Sequence, residues 1–240
     1  MMTSLVQRAL LTVLGALLLA PMAAQAQYSL TTEFTGTNQY HGNIFDVYAV
    51  NSVVVTDFDV NTVGTAGTPY TIEVYTMVGS GMTEWDNPKA WTLVETVNVT
   101  ANGPGVATPL GMTQTVSIPA GTTQSFYVTT DGGTSYLHYS NTKLAQGDLF
   151  VSDANLEIYV GLGMASPFVS SFSPRLWNGT IHYDVGEFDC SNGLDDDNDG
   201  AVDCMDTECW GDAACLLDVA VFHTDSSLVG DIQSKLAGTG

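Results

Sequence analysis

Basic residues are scarce in this chain. Of the five Lys and Arg residues, only Lys89, Lys143, Arg175 and Lys235 follow residue 26, against 26 Asp and Glu, and the formal net charge is -21 at pH 7. Nucleic acids and anionic lipid surfaces bind proteins largely through Lys and Arg. The composition therefore excludes nucleic acid as a predicted partner, and it favours divalent cations as ligands.

Long apolar runs and early cysteines are also lacking. The one sustained apolar run, Ala9 to Ala20, is shorter than the roughly 20 residues of a membrane span. It follows a single Arg and precedes Pro21 and Ala24-Gln25-Ala26, an order typical of a bacterial secretory signal peptide, residues 1–26, cleaved after Ala26. A retained membrane anchor is the alternative. The absence of Cys before Cys190 excludes a lipid-modified cysteine at the cleavage site, so we expect a secreted, extracellular protein without membrane insertion.

Catalytic motifs are missing as well. The four histidines lie in separate segments, without the spacing of a zinc protease, and no nucleophile elbow, Walker loop or dinucleotide fingerprint occurs. Sandwich carboxylates such as Asp46 and Asp57 would form a glycosidase pair only if folding brought two of them together. We therefore expect no enzymatic activity.

What the sequence does contain, from residue 27 to 185, is a series of short β-type runs. In Ser52–Val60 the side chains of Val54, Phe58 and Val60 alternate with two aspartates, and in Tyr70–Met77 Ile72 and Val74 oppose Glu73 and Tyr75. Further runs are found at Trp91–Thr100, Gln114–Ile118, Ser125–Thr130, Tyr136–Ser140, Leu156–Val160 and Thr180–Val185. About eight such strands, separated by Gly, Pro, Asn and Asp clusters, predict a mainly β fold, an antiparallel, jelly-roll-like β-sandwich over 27–185.

Residues 186–215 are an acidic, cysteine-rich segment with too few apolar residues for a core of its own. Counted from Asp195, Asp occupies positions 1, 3, 5, 9 and 12, with Gly200 at position 6, where a calcium loop turns sharply. This register predicts six oxygen ligands for calcium: Asp195, Asp197, Asp199, Ala201 through its backbone carbonyl, Asp203 and Asp206. The alternative is a solvated acidic linker.

The calcium pattern resembles the loops of thrombospondin type 3 repeats over about residues 189–209, and less closely those of dockerins. It departs from the EF-hand in having Asp206 in place of the bidentate Glu, and Cys204 with Cys209 in place of an exiting helix. Both departures favour a disulfide-braced calcium loop without helices over a sensor that opens and closes.

All the cysteines lie in or beside this loop, at Cys190, Cys204, Cys209 and Cys215. An even number in an exported chain predicts two disulfides, for which three connectivities are possible. We favour Cys190–Cys204 and Cys209–Cys215. A zinc site of four thiolates is the rival, but the spacing lacks paired C-x-x-C knuckles.

Residues 216–240 change character again. A short apolar run, Val219–Phe222, precedes Leu228, Val229, Ile232 and Leu236 at helical spacing. This predicts a single C-terminal β-α unit, which weakly resembles the start of a flavodoxin-like or glutamine-amidotransferase-like domain. We interpret it as a truncated domain or as a unit docked on the sandwich.

The sandwich offers one candidate ligand face. The long aromatic loop Gly79–Trp91 carries Trp85, which together with Tyr127 and Tyr136 would stack on a sugar; in the alternative, Trp85 and Trp91 plug the sandwich core. The sequence thus predicts a secreted, modular surface, extracellular-matrix or adhesion-type protein, in which a structural calcium site rigidifies an interdomain linker and the partner is a glycan or a cell surface. A sugar-binding module, or a fragment of a secreted carbohydrate-active enzyme, is the alternative.

Overall fold

Antiparallel β-strands make up most of the chain from residue 28 to residue 186. The computed structural model describes these residues together with 190, 191, 193, 195, 201–206, 209, 212, 214 and 215. The strands in this part of the chain are β1 (Tyr28–Thr31), β2 (Asn38–Tyr40), β3 (Gly42–Ala49), β4 (Val53–Asn61), β5 (Pro69–Val78), β6 (Thr92–Thr100), β7 (Ala107–Pro109), β8 (Val116–Ile118), β9 (Thr123–Thr130), β10 (Leu137–Asn141), β11 (Leu149–Ser152), β12 (Leu156–Tyr159), β13 (Gly161–Ser166), β14 (Ser170–Trp177) and β15 (Gly179–Val185). A strand is present at each of the eight predicted positions, and the predicted mainly β fold is confirmed.

The strands form two sheets. The smaller sheet has the order β1-β15-β4-β7, with β8 also paired to β4. The larger sheet has the order β2-β10-β14-β13-β3-β9-β5-β6, and β12, which carries β11 on its other side, pairs with the second half of β3. Because β3 pairs with β9 along one edge and with β13 and β12 along the other, it is the central strand of the larger sheet.

A hydrophobic core lies between the two sheets and contains side chains from both. The smaller sheet contributes Phe58 and Ile181, and the larger sheet contributes Phe45 and Phe126. Trp177, at the end of β14, stacks on Phe45 with ring centroids 4.4 Å apart and meets Phe58 edge-on at 5.8 Å. Large aromatic rings in such offset and edge contacts stabilise a core beyond their buried area, and they fix how the two sheets are packed.

The predicted alternation holds in β5 but shifts in β4. Ile72 and Val74 of β5 are fully buried, as expected. In β4 the register with β15 slips by one residue, since His182 pairs with Asp57 and Tyr183 with Val55. Such an irregularity changes which residues face the core on either side of it. The expectation that Val54 shares a face with Phe58 and Val60 is therefore wrong: Val55 is buried and Val54 is half-buried.

The outer face of the larger sheet carries a second hydrophobic cluster. It consists of Ile44, Met82, Trp91, Tyr127, Leu162 and Met164, here called the outer cluster. Side chains alternate across a strand, so that Phe45 and Phe126 enter the inter-sheet core while Ile44 and Tyr127 enter the outer cluster. The larger sheet is therefore covered on both faces around β3.

Two predicted units lie outside the described residues. They are the signal peptide at 1–26 and the C-terminal β-α unit at 216–240.

Candidate functional site

Two crossed disulfides organise the acidic segment. Cys190 is bonded to Cys209 and Cys204 to Cys215, with Cα–Cα distances of 5.5 and 5.2 Å. The predicted pairing of Cys190 with Cys204 and of Cys209 with Cys215 is wrong, because the chain returns so that Cys209, and not Cys204, lies opposite Cys190. The rival zinc site is excluded with it, since no cysteine is free to act as a thiolate ligand.

Within the loop closed by Cys190 and Cys209, the carboxylate of Asp203 joins two parts of the segment. Both of its oxygens accept the backbone N–H of Gly193, at 3.1 and 3.0 Å. Asp203 opens a short 3₁₀ turn, Asp203–Met205, and has a φ of 48°, in the left-handed region that L residues other than Asn and Asp rarely adopt. The segment therefore folds back on itself, so that residue 193 contacts a residue ten positions later.

The remaining predicted calcium ligands have different environments. Asp206 is 1 % exposed, whereas Asp195 and Ala201 are half-buried. Asp197 and Asp199 lie outside the described residues. Among the residues that are described, no group of three or more His, Cys, Asp or Glu side chains is close enough to hold a metal ion. The described residues alone do not form a calcium site, and the calcium ligand set stays a prediction that depends on Asp197 and Asp199.

The aromatic loop Gly79–Trp91 is tied to the sheet by a buried carboxylate. Asp46 of β3 is 8 % exposed and accepts hydrogen bonds from the hydroxyl of Ser125 and from the N–H of Gly81, the latter at 3.2 Å. The Gly81 N–H also bonds to Ser125 Oγ at 3.0 Å. A Cβ atom at Gly81 would lie 2.5 Å from the Trp91 ring, so the close approach requires glycine. The loop is thereby fixed against the outer cluster.

Tyr127 and Trp85 belong to this covered face. Tyr127 has no exposed surface, and its ring meets those of Tyr75, Trp91 and Phe168 at centroid distances of 5.9, 6.1 and 5.2 Å. Burial, with the neighbouring Tyr75 hydroxyl as a smaller cause, raises the pKa of Tyr127 well above its usual value. Trp85 is half-buried against the same cluster.

Tyr136 lies in a different aromatic group, which contains Tyr40, His41 and Phe172. Its ring centroid is 5.6 Å from that of Tyr40 and 5.0 Å from that of His41. The structure thus does not bring Trp85, Tyr127 and Tyr136 together on one exposed face. Tyr40 and Phe172 lie more than 130 positions apart in sequence, and their local runs carry no pattern that would have identified them as neighbours.

Several of the described histidines and carboxylates contact neighbouring strands or loops. His41 Nδ1 lies 3.0 Å from Thr130 Oγ1, and His182 Nε2 lies 3.0 Å from Asp59 Oδ2. Asp57, one of the carboxylates considered for a glycosidase pair, accepts backbone N–H groups of the loop at residues 111 and 112. These contacts hold strands and loops in place, and the expectation of no enzymatic activity stays a prediction.

Comparison with known sequences gives no family for this chain. No protein-family model matches it, and no curated protein shows significant sequence similarity to it. Across the described residues, none of the helical segments is long and apolar enough to cross a membrane.

Proposed function

We propose that this chain is an exported, modular protein of a cell surface or extracellular matrix, in which residues 186–215 bind calcium and stiffen the connection that follows the β-sandwich. The observation that carries the proposal is the pair of crossed disulfides, which closes the acidic segment into two loops that overlap in sequence. Structural disulfides persist in oxidising compartments outside the cytosol. They support export, as does the signal-peptide pattern at residues 1–26.

The same disulfides lower the cost of ordering the segment. The two disulfides join cysteines 19 and 11 positions apart in sequence. By restricting the unfolded chain, each bridge stabilises the folded segment by about 3 kcal/mol. The contact of Asp203 with Gly193 further limits the positions open to the acidic residues between them. A cation then has less chain to order when it binds.

The residues that would hold calcium are those of the sequence register: Asp195, Asp197, Asp199, Ala201, Asp203 and Asp206. Carboxylate and carbonyl oxygens are the ligands that calcium prefers, and the ion would neutralise carboxylates that otherwise repel one another. Asp206 is already excluded from solvent, so calcium binding would not need to bury this side chain.

Limited proteolysis tests the proposal. The full chain is digested in calcium and in EDTA, and the cut sites are identified by mass spectrometry. We expect EDTA to accelerate cutting within residues 186–215, while the sandwich resists in both conditions because its core contains none of these residues. Asp199→Ala should be cut rapidly even in millimolar calcium, and Asp184→Ala, outside the register, serves as its control. Equal cutting with and without calcium in the unaltered chain contradicts the proposal.

A further inference from the structure

A group of partly exposed aromatic rings lies at the edge of the larger sheet, on β2, on β14 and just before β10. It consists of Tyr40, Tyr136 and Phe172, here called the aromatic platform. Tyr40 is at its centre, with ring centroids 5.6 Å from both Tyr136 and Phe172. Tyr40 and Phe172 are each 37 % exposed, and Tyr136 is half-buried. Clusters of exposed apolar side chains can mark ligand-binding surfaces.

Hydrogen-bonding groups border the aromatic platform. The Arg175 guanidinium lies 5.9 Å from the ring centroid of Phe172, and its Nη1 donates to the Pro174 carbonyl at 2.7 Å. A guanidinium has five N–H donors; that bond uses one of them and Nε is buried, so the remaining Nη hydrogens are the donors offered to a ligand. Asn141 pairs with Arg175 in the sheet register, and its Oδ1 accepts a hydrogen bond from Asn38 at 3.1 Å. Flat aromatic rings and planar polar side chains are therefore adjacent.

A polar cleft adjoins the loop that carries Tyr136, since Asp131 and Ser135 of that loop line it. Its volume is about 380 Å³, and its lining includes Tyr70, Asn98, Asp131 and Ser135. The Tyr70 hydroxyl donates to the Tyr136 carbonyl at 3.2 Å, which connects the cleft to the platform residue directly. The volume falls within the range of about 300–1,000 Å³ found for small-molecule sites, but the lining of hydroxyl, amide and carboxyl groups suits a hydrophilic ligand.

Charge decides between the ligand classes that aromatic rings bind. With a net charge of -21, the protein repels polyanions such as nucleic acid and uronic-acid polysaccharides. An apolar ligand would displace water from the remaining Arg175 donors and the Asn141 amide without replacing its hydrogen bonds, at a cost in free energy. A neutral sugar ring has one face of C–H groups and an edge of hydroxyls, and it therefore matches rings bordered by hydrogen-bonding side chains.

We propose that the aromatic platform, with Arg175 and Asn141 at its border, binds a neutral glycan. The sugar ring stacks on Tyr40 and Phe172, and its hydroxyls bond to the Arg175 guanidinium and the Asn141 amide. Further units of the glycan extend past Tyr136 towards the polar cleft. This surface shares no residue with the acidic segment at 186–215, so glycan binding is independent of calcium.

Affinity gel electrophoresis of the full chain tests the proposal. Native gels contain dextran, yeast mannan or xyloglucan as neutral probes, and polygalacturonate as the anionic one. We expect retardation by at least one neutral polysaccharide, unchanged by EDTA. Tyr40→Ala and Phe172→Ala should each weaken it by at least about tenfold in apparent Kd, or ~1.4 kcal/mol. Leu149→Ala, which removes a side chain that is 48 % exposed on β11, should leave binding unchanged.

Further variants separate loss of the surface from loss of the fold. Tyr40→Phe keeps the ring and should retain binding, and melting curves of all variants report whether the sandwich remains folded. No retardation by any neutral polysaccharide overturns the proposal. Retardation that Tyr40→Ala and Phe172→Ala leave unchanged overturns the site, although the chain then still binds sugar. Retardation by polygalacturonate alone overturns the assignment to a neutral ligand.

Discussion

Replacement of Asp46 by Ala tests whether the aromatic loop Gly79–Trp91 is a structural cover of the sheet. The change removes the acceptor of two hydrogen bonds, from Gly81 N–H and from the Ser125 hydroxyl. Hydrogen bonds to a charged group contribute about 1.5–3 kcal/mol each. The Gly81 N–H keeps its second acceptor, Ser125 Oγ, and Ser125 can donate instead to the Phe45 carbonyl, which is 3.3 Å away. We therefore expect a loss of about 2–3 kcal/mol in the free energy of unfolding, below the sum of the two bonds.

Urea unfolding followed by tryptophan fluorescence measures this loss, since Trp91 lies in the loop and is 7 % exposed. Asp46→Asn retains a neutral acceptor and should cost about 1 kcal/mol. Asp86→Ala is the matched control, because Asp86 is an exposed carboxylate of the same loop, and surface substitutions usually stay within about 0.5 kcal/mol. If Asp46→Ala is as stable as Asp86→Ala, the buried carboxylate does not fix the loop and the reasoning fails.

Three further changes test the core, the outer cluster and the disulfides. Trp177→Ala should lower the free energy of unfolding by about 3–5 kcal/mol in urea, because it leaves a cavity between the sheets. Burial, together with the hydrogen bond to Glu73, raises the pKa of Tyr75 to about 12. Its contribution to stability is therefore complete below about pH 10 and is lost as the pH rises towards about 12. Tyr75→Phe should lose less stability than the unaltered chain between about pH 10 and pH 12. Cys204→Ser with Cys215→Ser removes about 3 kcal/mol of loop-closure stabilisation, which should appear as faster proteolysis of residues 190–215 with an unchanged sandwich melting temperature.

The strands that could be predicted from sequence are those with one covered face. β5 alternates because Ile72 and Val74 enter the core while Glu73 lies half-buried on the other side. β3, the central strand, gives no such signal, since Ile44 and Asp46 on its outer face are as buried as Phe45 on its inner face. The outer face of β3 is covered by the loop of residues 79–91. Because this loop is distant in sequence, the local pattern of β3 does not indicate that the face is covered.

The candidate sites could be predicted only in part, for related reasons. The position of the disulfides and the β fold follow from composition and spacing, but the pairing of Cys190 with Cys209 depends on how the segment folds back. Tyr127 resembles a surface aromatic in sequence, yet the Phe168 ring from the β13–β14 turn helps to cover it. Contacts between residues so far apart along the chain arise from tertiary packing, which local patterns do not encode.

Calorimetric titration of calcium into the full chain measures whether residues 186–215 bind calcium. We expect saturable binding of calcium at millimolar concentrations or below. Asp199→Ala should lose this binding and Asp184→Ala should retain it, because Asp199 is one of the six predicted ligands and Asp184 is not. Binding that is absent at millimolar calcium, or that survives unchanged in Asp199→Ala, contradicts the proposed calcium site.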